Sequence, residues 1–272
     1  MAISTLDQLI AALAAAPERP FFKASQTSEG AGLYHSLWKA AGYPAAGVNP
    51  PVKTAGSGYI PNGATLGALA RPNPTGGNLG YLAKVLAQGA TLGSLILYDR
   101  LWACSAFDCN INTLQAITTP GTIDRPDALG ARTELWGEFY TAPGATGTPT
   151  VTVTYTNQDG TGSRSATYAR AAANAEAVGQ MVPFLLQAGD TGVRAVADLT
   201  FSAATGSVGD MGLTILRRIA TIPMSLINAP SNLDAIAGAL AKLDDNACLA
   251  FKVLCSATNT GFIGGGYSAV EG

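Results

Sequence analysis

One histidine, His35, serves all 272 residues, and charged side chains make up only 12% of them. A single imidazole removes His-pair metal sites and leaves any nucleophile-base relay dependent on that one ring. Neither a Gly-x-Ser-x-Gly elbow nor a Gly-Lys-Ser/Thr phosphate loop accompanies it. Its neighbours Tyr34, Leu37 and Trp38 read as packing. Soluble domains carry about 25% charged residues, so this chain, 47% hydrophobic, is expected to turn much of its surface toward protein. Net charge is −2 and Arg217-Arg218 is the one basic pair, a pattern without the footprint that grips phosphates. That pair reads as the end of a strand, and direct nucleic-acid binding is not expected. No apolar run approaches the roughly 20 residues of a bilayer helix, so no membrane partner is expected either. Ala11–Ala16 is not a cleavage region: no positive residue precedes it, and Asp7 interrupts the apolar stretch. The chain reads as made in the cytoplasm.

Glycine and β-formers are what the sequence does have, with 32 glycines and 15 prolines arguing for many reversals and few long helices. In Thr150–Thr156 apolar residues alternate with threonines, the period of a half-buried antiparallel strand. Asp159-Gly160 then supplies a tight reversal, and Ser163–Tyr168 a returning strand. Val193, Ala195, Ala197, Leu199 and Phe201 repeat the two-residue period, as does Gly212–Arg218. Cys248–Cys255 alternates again, and Phe262–Val270 follows a turn at Asn259-Thr260-Gly261. Counted from Leu95, about eight to ten strands at sandwich-like intervals predict a mainly-β fold, an antiparallel β-sandwich of jelly-roll type over residues 91–272. At this length one large domain with an appendage is the expectation.

Residues 1–90 read as that appendage. Ile3, Leu6, Leu9, Ile10 and Leu13 recur at helical spacing, Thr5 and Gln8 can form a capping box, and Pro17 ends the helix. Gly42–Gly77 is rich in Pro, Gly, Ala and Asn and reads as an extended arm lying on a surface, with a short helix at Leu79–Leu86 after it. Tyr34 and Trp38 have the spacing of one helix face. With Tyr43 and the helix stripe Leu6, Leu9 and Leu13, they are the candidate interface residues, because the appendage has little core of its own for them to fill. Gly-Ala-Thr-Leu-Gly occurs at 63–67 and 89–93, a coincidence of composition and not a repeat.

The remaining words that could carry chemistry have plainer readings. Cys104, Cys109, Cys248 and Cys255 miss zinc-knuckle spacing and read as free, buried, small hydrophobes; Cys248 and Cys255 would point to opposite faces of a strand. Asp190-Thr191-Gly192 is the tripeptide of aspartic proteases, yet Ala188-Gly189 precede it where that fold needs large apolar strand residues. A turn capped by Asp190, with Gly192 at positive φ, is expected instead. Glu134 and Glu138, about 13 Å apart along a strand, exceed glycosidase carboxyl spacing. Asp244-Asp245-Asn246 and Asn157-Gln158-Asp159 read as solvated turns, lacking the alternation of a calcium loop. Gly264-Gly265-Gly266 reads as a bulge or a close sheet contact. No metal, cofactor or catalytic residue is expected.

Glu134-Leu-Trp-Gly-Glu-Phe-Tyr, Thr154-Tyr-Thr-Asn-Gln-Asp-Gly, Gln187-Ala-Gly-Asp-Thr-Gly-Val-Arg and Leu213-Thr-Ile-Leu-Arg-Arg together resemble a family of tailed-bacteriophage virion structural proteins. Tyr34-His-Ser-Leu-Trp-Lys-Ala-Ala-Gly-Tyr-Pro, Leu95-Ile-Leu-Tyr-Asp-Arg-Leu-Trp and Asp245-Asn-Ala-Cys-Leu extend the resemblance over most of the chain. It implies residence in the particle, on the head surface, and supplies no catalytic residues. The expectation is therefore a capsid decoration or cement protein, with the major capsid protein and neighbouring copies of itself as partners and the arm reaching over adjacent subunits. A tail or fibre component is the structural alternative, and a hydrolase using Asp190 the enzymatic one.

Overall fold

The computed structural model describes residues 3, 5–26, 29–126, 129–170, 176–235, 241–259 and 261–272. In chain order these hold α1 (Leu6–Ala15), β1 (Arg19–Ala24), β2 (Tyr34–Ser36), β3 (Gly42–Tyr43), β4 (Gly80–Gly89), β5 (Gly93–Asp108) and β6 (Gln115–Ala116). There follow β7 (Glu134–Thr141), β8 (Thr150–Asn157), β9 (Arg164–Ala169), β10 (Gln180–Pro183) and β11 (Val193–Phe201). The last are β12 (Asp210–Met224), β13 (Ser231–Asp234), β14 (Lys242–Leu243), β15 (Leu249–Cys255) and β16 (Phe262–Glu271). The mainly-β, antiparallel fold predicted by the alternation is present.

The chain divides into two compact units, each discontinuous: residues 1–47, 62–99 and 218–272 form the first, and 48–61 with 100–217 the second. In the first, one sheet runs β13-β4-β16-β1-β3, with β14 also on β4. Facing it, β15 pairs with β2 and with the first half of β5. Phe21, Val85, Ile263 and Tyr267 meet Leu95, Leu97, Phe251 and Val253 in the core between these layers. The Phe21 and Phe251 rings are 4.5 Å apart. In the second unit the sheet β6-β11-β8-β9 packs over β7, which β10 and β12 flank. Val151, Val153, Tyr155, Leu199 and Phe201 from one layer meet Leu135, Phe139, Leu213 and Ile215 from the other. Each unit is thus a two-layer sandwich, its inner faces supplied by the period-two residues.

The hairpin read from Thr150 to Tyr168 is β8-β9, in register from Thr150↔Ala169 to Tyr155↔Arg164. Several expectations for the first third are corrected. Leu79–Leu86 is not a helix: Leu82, Lys84 and Leu86 lie in β4, paired with β16 on one side and β13 on the other. Residues 1–90 are no appendage, because β1, β2 and β4 are layers of the first sandwich. Residues 42–77 are irregular, as read, but lie on their own chain, with Leu69 and Ala68 in the first unit and Tyr59 in the second all buried. Arg217 and Arg218 sit inside β12, not at its end. Gly265 makes the expected close contact, since a Cβ there would stand 1.8 Å from the Leu86 carbonyl; the register shift between β16 and β4 falls at Ser268/Ala269 instead, where β4 carries the extra residue, Ala83.

Charge is turned inward. Lys23, Glu29, Asp99, Arg100, Arg125, Glu138, Arg170, Glu176, Asp244 and Lys252 are all buried, although such side chains normally stay on the surface unless paired. Arg100 donates to Glu138 at 2.7 Å and to the Tyr140 hydroxyl at 2.6 Å, and that hydroxyl donates to Glu138 at 2.8 Å. Arg170 and Glu176 pair at 2.8 Å. Burial, the largest cause, pushes the Tyr140 phenol well above its usual range. Removing one partner of such a pair strands the other charge in the core. Glu138→Ala should therefore cost about 3–5 kcal/mol in urea unfolding, and the double variant Arg100→Met, Glu138→Leu should recover most of it. Equal losses for the single and double variants would show that the charges do not act as a pair.

Candidate interaction surface

Lys23 sets the geometry of one end of the first unit. Alternation along β1 turns Phe21 and Lys23 inward and Pro20 and Phe22 outward. The Lys23 ammonium, itself buried, donates to the carbonyls of Pro44 at 2.7 Å, Ala40 at 3.1 Å and Ala45 at 3.3 Å. Burial lowers its pKa to about 8. Those bonds fold residues 40–45 back onto β1 and pair Tyr43 with Phe22. Gly42 permits the approach: its φ is +140°, and a Cβ would lie 1.9 Å from the Phe22 carbonyl oxygen.

Phe22 stacks on Phe262 of β16 with centroids 5.6 Å apart and planes at 21°. Gly264 lies beneath both rings, where a Cβ would meet Phe22 at 3.6 Å and Phe262 at 3.8 Å. Beside them Tyr43 is 57% and Phe22 47% exposed. Four more loops are tied into the same end. Ser25 donates to Gly261 and Ala90 to Phe262, at 2.9 and 3.0 Å, while Asn228 donates to Gly89 at 2.9 Å. Gly32 donates to Cys255 at 2.8 Å and Ser256 to Leu92 at 3.0 Å. They bring Leu33, Leu92, Leu226 and Ile227 to the surface, the last two 68% and 58% exposed.

Segments 25–33, 40–46, 89–92, 225–230 and 256–261 contain a single charged residue, Glu29, and it is buried. Its carboxylate accepts from Asn259 Nδ2 at 2.7 Å, and the two backbones bridge one another. Burial raises its pKa. His35, on β2, accepts the Gly30 N–H on Nε2 at 2.9 Å, and burial lowers its pKa to about 4. Both groups staple the 29–33 turn from inside. The Cys255 thiol next to Glu29 is pushed up to about 12, chiefly by burial, which makes it a poor nucleophile. Loops that expose Leu33, Leu92, Leu226 and Ile227 and no charged side chain share the charge depletion of the core of a protein–protein interface.

The predicted interface residues divide. Tyr43 lies on this face. Trp38 is buried against Gly47 and Gly67, and Tyr34 belongs to β2, so the two do not share a helix face and Trp38 is no exposed anchor. Leu6, Leu9 and Leu13 do lie on a helix with the Thr5/Gln8 capping box, and none of its side chains is buried. The helix lies over the far half of β16: Ile3 packs on Gly272, and the Glu18 side chain that follows the helix covers Gly266. Leu226, Ile227, Leu92 and Phe22 were not foreseen, because no local pattern marks an exposed aliphatic in a loop.

Asp190 is occupied within the second unit. Its carboxylate accepts from Tyr155, from Asn157 at 2.8 Å and from Arg164 at 2.9 and 3.0 Å. The Arg164 hydrogen bonds, the largest cause, hold it well below the usual carboxylate range. The turn is there, but the positive φ belongs to Gly189 and not to Gly192, whose site is shaped by the Gly130 carbonyl 1.9 Å from a would-be Cβ. Glu134 accepts from Trp136 and Glu138 pairs with Arg100, so neither faces the other. All four cysteines are free and buried, as read. No helix among the described residues is long and apolar enough to cross a membrane.

The chain matches no protein-family model and no curated protein sequence. Similar solved structures are capsid structures of infectious bursal disease virus. The particle of the Gt strain is 11% identical, with 94% of this chain and 82% of that one covered and a TM-score of 0.21. The T13 viral particle gives 11%, 94%, 78% and 0.23, and the VP2 subviral particle 10%, 94%, 81% and 0.20. Superposition that loose transfers neither topology nor role to this chain.

The staple of the 29–33 turn titrates. The folded pKa of His35 lies near 4 and the unfolded one near about 6.5, so between them the unfolded chain holds a proton the folded one lacks. Stability contributed by His35 is complete above that window and lost as pH falls through it, by up to about 1.4 kcal/mol per unit. Glu29, its pKa raised, acts in the opposite sense as pH falls. The difference between wild type and His35→Gln, followed by chemical denaturation from pH 7 to 4, should isolate the histidine: the variant's curve should be flatter. Parallel curves would show that His35 does not titrate with folding.

Proposed function

We propose that this protein is a non-enzymatic structural component of a virus particle, a decoration or cement protein on the head of a tailed phage. The observation that carries the structural reading is the charge-free apolar end of the first unit. A surface so depleted of ionised groups has little to offer a polar substrate and much to gain from being covered, at roughly 25 cal/mol per Å² of apolar area. Placement on a phage particle is supported by the sequence resemblance, which runs through β7, β8, β11 and β12. Repeated over many symmetry-related copies, moderate contacts with the major capsid protein and with sister copies would sum through avidity to hold a shell together. The full engagement of Asp190 by Arg164, Asn157 and Tyr155 supports the non-enzymatic part of the reading.

Quantitative mass spectrometry of purified particles tests the placement. Hundreds of copies per particle are expected for a head protein; a few tens or fewer would move the chain to the tail or a fibre, and absence would overturn the virion reading. Asp190→Asn should leave particle yield and any hydrolytic activity of the preparation unchanged. It should lower the melting temperature at pH 7, a deficit that shrinks as acid protonates the wild-type carboxylate below its unfolded value near about 4. Hydrolysis that disappears with Asp190 would restore the enzymatic alternative.

A further inference from the structure

We propose that Asn62 is a latent modification site, one that converts spontaneously to aspartate and isoaspartate when the turn at Asn246 lets go of Gly63. Asn62-Gly63 is the only Asn-Gly pair in the sequence. The Gly63 backbone nitrogen, once its proton is lost, attacks Cγ of the Asn62 side chain. An N–C bond forms to close a cyclic imide, the C–NH2 bond breaks, and the side-chain nitrogen leaves as ammonia with the proton the backbone gave up. Water then opens the imide at either carbonyl. One direction leaves aspartate; the other routes the main chain through the side-chain carboxyl. The sum consumes water and releases ammonia, with no oxidant or metal. Glycine favours the step because it has no Cβ to hinder the approach of its nitrogen.

Burial does not protect the pair, since Asn62 is exposed and Gly63 only half-buried. Hydrogen bonds do. The Gly63 N–H donates to the Asn246 carbonyl at 3.0 Å, so a nitrogen stripped of its proton would be left facing a carbonyl oxygen. The electrophile is held too. Asn62 Oδ1 accepts from the Ala64 N–H at 2.9 Å, the two-residue reach of an Asx turn, and the Asn62 N–H donates to Thr65 Oγ1 at 2.9 Å. The Thr65 N–H closes the turn on the Asn62 carbonyl at 2.9 Å. Forming the imide gives up the Gly63 and Ala64 bonds together.

The acceptor is itself anchored within the first unit. Asn246, at φ +57°, donates its N–H to Asn73 Oδ1 and accepts from Asn73 Nδ2 on its own Oδ1, both at 2.8 Å. Asn73 and Asn246 are both exposed, so their bonds compete with water and are individually weak. The latch is therefore set to open by local fluctuation well short of unfolding. Conversion then fixes the open state, because the extra main-chain carbon of isoaspartate displaces Gly63 from Asn246. This chemistry goes beyond the structural role proposed above and does not depend on it.

Peptide mapping by mass spectrometry tests this, on the full chain aged folded in buffer and unfolded in urea at one pH and temperature. Conversion at Asn62 is expected to run about tenfold or more slower in the folded chain, because it waits for the open fraction. Asn73→Ala, which removes both side-chain ties of Asn246, should speed it several-fold in the folded chain and leave the rate in urea unchanged, while melting shows the fold intact. Thr65→Val, which frees the Asn62 N–H, should do the same from the other side of the turn and serves should Asn73→Ala fail to fold. Asn62→Gln should abolish the product. Equal rates in the folded and unfolded chains overturn the proposal, as does a folded chain that both variants leave as slow as wild type.

Discussion

Scarce charge, much of it held inside, is the constraint from which the rest of this structure follows. With 16 basic and 18 acidic residues to place, the chain buries Lys23, Arg100, Glu138, Arg170 and Glu176, among others, and uses them as internal ties. Arg100 and Glu138 tie β5 to β7, which β12 separates in the strand order, and Lys23 folds a glycine-rich segment back on β1. Each tie must be well formed, because a buried charge without its partner costs several kcal/mol, about 3–5 for a broken pair. The consequence appears outside: what is held in the core is missing from the surface, and the loops at one end of the first unit expose apolar and uncharged polar side chains but no charged one.

That division links packing to function. Internal ties give specificity of conformation, since Lys23 with its three carbonyls and Asp190 with its three donors are satisfied in one arrangement only. Surfaces without charge give adhesion that salt does not screen. For a protein that works by staying in place, the combination suits: a body locked by polar contacts and an outer face whose attraction is area. Tyr140, Cys255, Glu29 and Asp190, whose pKa values are all shifted, are held by protein neighbours.

How much of this could be read in advance depended on where each residue finds its partner. The strands from β7 onward were legible because half-burial writes a period of two into Thr150–Thr156 and Val193–Phe201, and a short turn sets the β8-β9 register locally. The first third was not. Gly80–Gly89 contains Leu, Ala, Lys and Gln, good helix formers, and becomes a strand only because β16 and β13 flank it from far along the chain. Pro- and Gly-rich residues 48–77 carry no period at all, yet place Tyr59 and Leu69 in two different cores. Trp38 looked like an anchor on a helix because spacing cannot show that Gly47 and Gly67 leave room for its indole inside.

The interaction surface illustrates the limit most sharply. Its members come from residues 22 to 262, and within any one segment the signal is an unremarkable leucine or glycine. What distinguishes the end is a property of the set: five loops that could each have carried a lysine, as loops usually do, and carry none. A single glutamate breaks the pattern in sequence, and the fold withdraws it, paired to Asn259 beneath the turn. Were the surface meant for water, burying Glu29 would be a needless desolvation cost of its charged form. Withdrawn, it leaves a face that a neighbour can cover without stranding any charge, and that is the physical reason to regard the end as built for contact.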